Sequence, residues 1–200
     1  MRRLLPAALA VALLVLSGCT SDPVSSPGEA KVDVDTPALR EIKKAAGIDD
    51  CRPGTATDGG LPDVTLPCLG GGPDVDLSTL QGPMVVNLWQ SFCKPCLKEM
   101  PALQEFSEKY GDQVPVIGID STDVQPQAAL EFAKKLGVTY PLLADPGGDL
   151  SAQDPFPIIR GYPYLMFIDA DGDATFRKFG GVASYDELVG LVNEHLGTDL

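Results

Sequence analysis

Histidine is almost missing from this 200-residue chain: His195 is the only one. A zinc site needs about four nitrogen or sulfur ligands, so here cysteines would have to supply it. Of the five cysteines, Cys51 and Cys68 have 16 residues between them, without the spacing of a zinc knuckle, and no metal is expected. Basic residues are also scarce, 15 against 28 acids, for a formal charge of −13. No basic stripe runs along the chain, which argues against nucleic acid as a partner. Long apolar runs are lacking too. Leu4–Leu16 is 13 residues, too short to cross a hydrocarbon layer of roughly 30 Å. The acidic stretch from Asp169 to Asp173 does not follow the calcium-loop pattern. Its glycine comes fourth, and Gly180 stands twelfth where that loop needs glutamate. It reads as a hairpin turn.

What is present begins with a leader. Arg2-Arg3, the short apolar core and Leu16-Ser17-Gly18 read as a signal peptide over residues 1–18. With Cys19, its last residues resemble the bacterial lipobox. That resemblance implies a lipidated Cys19 at the new N-terminus and a chain anchored on the extracytoplasmic face of the cell membrane. More than one acyl chain is needed, at roughly 0.8 kcal/mol per buried methylene, for stable attachment. Losing Arg2 and Arg3 leaves the rest still more acidic, which is read as a solvated surface. Residues 19–35, rich in Ser, Pro, Gly and acids, read as a flexible tether.

Residues 36–70 form an N-terminal extension. Thr36-Pro37 opens a helix with Leu39, Ile42, Ala45 and Ala46, and Gly47 stops it. Setting Cys19 aside leaves four cysteines, an even number in an exported chain. Cys51 and Cys68 are expected to pair as a structural disulfide, tying this helix to a strand near Val64–Leu66. The rival is a second redox pair that exchanges with Cys93.

Residues 71–200 are organised around Val85–Pro101. Met84–Trp89 is an apolar run with the look of a buried strand, Gln90-Ser91 is a polar link, and Cys93-Lys94-Pro95-Cys96 follows. Met100, Leu103, Phe106 and Tyr110 then recur at helical spacing. The dithiol therefore sits where a strand ends and a helix begins. The first turn of a helix has unpaired N–H groups and the positive end of the dipole. A thiolate there is stabilised below the free-cysteine pKa of about 8.5. Cys93, at the helix mouth, is assigned as nucleophile; Cys96, one turn in, resolves the mixed disulfide. Lys94 adds a cation beside Cys93, and Pro95 sits where its missing N–H costs little. Pro101 is expected to kink the helix.

Further along, Val114–Ile119 and Tyr140–Ala144 read as strands flanking a helix that Pro126 opens and Gly137 stops. Leu77–Leu80 reads as a turn of helix and Leu150–Arg160 as irregular. Tyr164–Ile168 and Ala174–Phe179 form the hairpin, and Ser184-x-x-Glu187 caps a last helix. His195, near its end, is expected on the surface. The order βαβα then ββα gives an α/β protein, a mixed sheet with helices on both faces.

Val85-Val-Asn-Leu-Trp89, Cys93-Lys-Pro-Cys96, Glu99-Met-Pro101 and Gly161-Tyr-Pro163-Tyr resemble the thioredoxin superfamily. Within it, the chain is most similar to the membrane-tethered TlpA/ResA/DsbE-like thiol–disulfide oxidoreductases, from Leu61 to Leu196. The resemblance implies a thioredoxin-like fold and a cofactorless activity. It implies a cis Pro163 beside the dithiol, with Tyr162 offering its backbone to an extended partner. Trp89, Phe92, Lys94 and Pro95 join these as expected substrate contacts, Phe92 standing where a tryptophan is common. Glu99 matches a family glutamate that moves protons to Cys96 or tunes the thiols. Asn87 falls where thioredoxin proper carries a buried acid. The implied partners are exported proteins with disulfides or thiols and a membrane redox partner, served by a monomer. A reductase is favoured, in the sense of cytochrome c maturation; the alternatives are a disulfide-forming oxidase and a non-catalytic metal- or protein-binding module. A peroxidase would set its cysteine in Pro-x-x-x-Thr-x-x-Cys, which nothing here matches.

Overall fold

The computed structural model describes residues 32–200; the expected signal peptide, Cys19 and most of the expected tether lie outside the described residues. Helix α1 (Pro37–Ala46) begins as its sequence requires. Thr36 caps it by accepting the Leu39 N–H, and Gly47 ends it in the left-handed region at φ 70°. Two short antiparallel strands follow, β1 (Thr65–Leu66) and β2 (Val75–Asp76). The second was not anticipated: two residues are too few to show a period.

The main sheet contains β3 (Met84–Trp89), β4 (Val116–Ser121), β5 (Leu142–Asp145), β6 (Tyr164–Ile168) and β7 (Ala174–Phe179), in the order β5-β4-β3-β6-β7. β3, β4 and β5 run parallel, while β6 and β7 are antiparallel additions. The sheet is mixed, as the element order requires. β4 and β5 each start two residues later than the apolar runs suggest. Pro115 and Pro141 lack the N–H that would extend the ladder, though their carbonyls still accept Val85 N and Gly118 N. Helices α2 (Cys96–Tyr110), α3 (Pro126–Lys135) and α4 (Tyr185–Leu196) complete the fold. Pro101 lies inside α2, and the helix runs through it unbroken from Cys96 to Tyr110.

The expectation of helices on both faces needs correction. Val85, Trp89, Leu165 and Phe167 share one apolar layer with side chains from all four helices, among them Leu39, Leu103, Leu130 and Leu188. Met84, Val86, Leu88, Met166 and Ile168 face the other way. They are covered by residues of the 51–80 segment, a single helical turn Leu77–Thr79, and Leu150 and Phe156. The reason lies in topology. The crossovers β3-α2-β4 and β4-α3-β5 step in the same direction across the sheet. Two right-handed connections of that kind put both helices on one side.

The disulfide Cys51–Cys68 clamps the covering segment. Cys68 bridges Leu143 on β5, and Leu69 N and Ala144 N bond across the same edge to Leu142 O and Pro67 O. Lys43 of α1, 5% exposed, reaches in to donate to Gly71 O at 2.7 Å and Cys68 Sγ at 3.3 Å, and pairs with Asp50. No helix among the described residues is long and apolar enough to cross a membrane. Replacing both Cys51 and Cys68 by alanine is expected to cost about 3 kcal/mol of stability through lost loop closure. Urea unfolding of oxidised protein checks this; an unchanged midpoint would leave the clamp without an energetic role.

Candidate active site

β3 ends at Trp89, and the chain turns through Gln90, Ser91 and Phe92 to reach Cys93. The site thus forms at the carboxyl ends of β3 and β4, where an open α/β sheet leaves a crevice. Pro95 adopts helical φ and ψ of −62° and −31° just before α2. Cys96 is therefore the first residue of the helix, not one turn inside it, and Cys93 precedes the helix. The chemistry survives the shift. Cys93 and Cys96 form a disulfide with Cα atoms 5.4 Å apart, and Cys96 N donates to Cys93 Sγ at 3.2 Å. The Cys93 sulfur thus sits on a free amide at the positive helix end. Cys93 retains 7% exposure and Cys96 none, so only the former can be reached from outside. The four cysteines of the described residues are committed to two separate disulfides.

A polar network positions the turn before Cys93. Asp123 accepts from Ser91 N at 2.9 Å and Ser91 Oγ at 2.6 Å, and its other oxygen accepts Gln125 N. Gln90 Nε2 donates to Thr122 Oγ1 at 2.6 Å and to Ser121 O at 3.0 Å. The Tyr162 hydroxyl meets Thr122 Oγ1 at 2.9 Å and Ser121 Oγ at 3.0 Å. Three segments distant in sequence are thereby tied together. Behind them Asp120 is 1% exposed, and burial followed by the charges of Asp123 and Asp145 pushes its carboxyl well above the ordinary range. Gln90, Ser121, Thr122 and Asp123 were not among the expected site residues. The available signal was a pair of polar stretches, each directly following an apolar strand.

The expected contacts separate. Phe92 is 60% exposed, and Lys94 and Pro95 are exposed beside it. Tyr162–Pro163 is a cis peptide bond. Tyr162 lines a hollow of about 450 Å³ together with Phe92, Cys93, Lys94, Pro95 and Arg160. Trp89 is corrected: it is fully buried and stacks on Phe132 at 5.8 Å, so it supports the floor and touches no partner. His195 is half-buried, its ring 4.7 Å from that of Phe176.

Glu99 is 1% exposed on the inner face of α2, next to Asn87, whose Nδ2 donates to it at 2.8 Å. Its other oxygen, Oε1, has no hydrogen bond. Burial raises its carboxyl to about 7, against the opposing pull of the Asn87 amide, the Val182 backbone and Lys178. The carboxyl, Pro163 and Gly181 crowd together. A Cβ on Gly181, whose φ is +67°, would lie 2.6 Å from Glu99 Oε1 and 2.8 Å from Pro163 Cγ. Such a buried carboxyl can hold a proton near neutral pH and release it, which suits it to proton transfer within the core.

A mixed sheet with a dithiol at a helix start defines a protein of thioredoxin-like fold. The match to the family model described as AhpC/TSA family covers residues 59–176, and the chain belongs to that family. It is similar to thioredoxin-like protein YneN of Bacillus subtilis (strain 168), 27% identical over 113 residues, 50% of this chain and 64% of that protein. It is similar also to the thiol-disulfide oxidoreductase ResA of Bacillus thuringiensis subsp. konkukian (strain 97-27), 32% identical over 126 residues, 58% of this chain and 66% of that protein. Among solved structures, a secreted Mycobacterium tuberculosis disulfide oxidoreductase homologous to E. coli DsbE matches with a TM-score of 0.56 and 28% identity. That match covers 66% of this chain and 96% of the other. The chain spans a little under two thirds of the length of these curated relatives. Val86 and Gln90 stand where a peroxidatic Pro-x-x-x-Thr-x-x-Cys motif ending at Cys93 would need proline and threonine.

The Glu99 environment has a stability consequence. The unfolded chain ionises this group near its ordinary 4.5 and the folded chain near 7. The ionisation cost of its burial is therefore absent below about pH 4.5. The cost grows as pH rises to about 7 and is constant beyond, at roughly 3 kcal/mol. Glu99→Gln should match the parent at pH 4 and exceed it in stability at pH 8. Denaturant unfolding of both proteins across this range, taken as a difference so that Asp120 cancels, is the check. Parallel curves would show that Glu99 ionises freely.

Proposed function

We propose that the protein is an extracytoplasmic, lipid-anchored thiol–disulfide oxidoreductase acting on exported proteins, with reduction as its working direction. The observation that carries this reading is the asymmetry of the dithiol. One sulfur lies on a helix-start amide and opens to a hollow, while its partner is sealed beneath it. In reduced protein the Cys93 thiolate attacks a partner disulfide. A Cys93–partner S–S bond forms and the partner's other sulfur leaves as thiolate. Cys96, deprotonated, then attacks Cys93 Sγ. The mixed disulfide breaks, the Cys93–Cys96 bond forms, and the second partner sulfur leaves as thiolate. Two electrons pass to the partner, whose thiolates take up two protons, one of them from Cys96 by way of Glu99. A membrane redox partner of dithiol type would return the electrons.

The relatives named ResA and the secreted DsbE homologue support the chemistry and the compartment. The leader ending at Cys19 supports the anchor. Reduction, and service to cytochrome c maturation, rest on the resemblance to the TlpA/ResA/DsbE group. The same exchange run backwards would make an oxidase.

Cys96→Ala is expected to stall mixed disulfides on Cys93 in cells, identifiable by mass, whereas Cys93→Ala should trap none. The parent protein should reduce insulin with a dithiol reductant. The Cys93–Cys96 couple should have a potential near the −270 mV of thioredoxin. A value near the −120 mV of DsbA would reverse the direction. Failure to trap any protein would sink the exchange reading.

A further inference from the structure

The chain is acidic as a whole, with 28 acids against 15 bases, yet the sign reverses around the dithiol. The hollow containing Cys93 holds Lys94 and Arg160 and no carboxylate. A second depression, about 570 Å³, continues from Lys94 and Pro95 past Lys98 to Lys178. Its only acid, Glu187, is already engaged, accepting Lys178 Nζ at 2.6 Å and the Ala183 N–H at 2.7 Å. A third, about 640 Å³, continues from Arg160 and Gly161 to Ile158 and Phe179 and again holds no acid. Because neighbouring depressions share residues, the three form one band with Cys93 in its middle. Lys94, Lys98 and Arg160 make no ion pair with any described residue.

Apolar side chains mark the same band. Phe92, Ile158 and Phe179 are 60%, 57% and 49% exposed, and Leu97 on the first turn of α2 is 41% exposed. Large apolar groups left in water and rimmed by charge mark an interaction surface. Unpaired cations on an otherwise acidic molecule select an anionic partner.

We infer that this band docks an acidic, partly apolar polypeptide segment flanking the partner's reactive disulfide. The inference rests on the exchange activity proposed above and adds the partner's chemistry. Acidic side chains of the segment lie against Lys94, Lys98 and Arg160. Its apolar side chains cover Phe92 and the Ile158–Phe179 pair. The partner's sulfur then meets Cys93 in a water-poor setting, and encounter is steered by charge.

The test uses reduced protein and three matched short peptides. Each carries one internal disulfide between leucines, with Glu, Gln or Lys as the remaining flanking residues. Exchange rates are read by mass spectrometry after acid quench. At low salt the order should be Glu, Gln, Lys, with about tenfold between the first two. The spread should collapse near 0.5 M salt, where the screening length falls to about 4 Å. The triple variant Lys94→Glu, Lys98→Glu, Arg160→Glu should invert the order. Ratios between peptides are the readout, because Lys94 also acts on the Cys93 thiolate and that effect cancels. Equal rates, or Lys fastest, would overturn the inference alone. No exchange with any peptide would overturn the oxidoreductase reading and the inference with it. Binding to phosphatidylglycerol vesicles that the triple variant abolishes, without peptide preference, would assign the cations to lipid headgroups and overturn the proposal.

Discussion

One amide proton governs this molecule: that of Cys96, aimed at the sulfur of Cys93. It belongs to the set that every helix start leaves unpaired, so the fold supplies it without any dedicated side chain. The rest of the structure holds that proton and that sulfur in line. β3 ends at the right depth, Pro95 presets the first turn, and Asp123 fixes the backbone at Ser91 from the loop after β4. Remove the alignment and the two cysteines are ordinary thiols.

Around this feature the polar groups divide by role. Asp123, Gln90, Thr122 and Tyr162 bond to one another's segments and have partners. Glu99 and Asp120 each keep an oxygen without a hydrogen bond in the interior, and both are raised by burial. Unsatisfied buried carboxyls are costly, and a core built for stability alone would replace them. Glu99 follows Cys96 by three residues on α2, and the proton transfer proposed for it would account for that cost.

Much of this was legible in the sequence. The strand–dithiol–helix unit announces itself through an apolar run, C-x-x-C and helical spacing. Thr36-Pro37 and Ser184-x-x-Glu187 start their helices as local capping rules require, with Ser184 Oγ accepting Glu187 N. The residues that escaped did so for tertiary reasons. Trp89 alternates with Leu88, and only the pairing of β3 with its neighbours decides which of the two faces α3. The Asp123–Ser91 bond joins positions 32 residues apart. Helices on one face follow from the order in which strands are laid down, which periodicity within single elements does not reveal.

That one-sided arrangement leaves half of the hydrophobic interior in unusual custody. Helices guard one layer. The other is shut by a largely irregular flap whose latch is a covalent bond between two sulfur atoms. A thiol reagent strong enough to undo that latch would loosen the segment that shelters Met84, Val86 and Leu88. A protein proposed to exchange sulfur–sulfur bonds thus keeps part of its own architecture in the same form, and its integrity is tied to the redox climate around it.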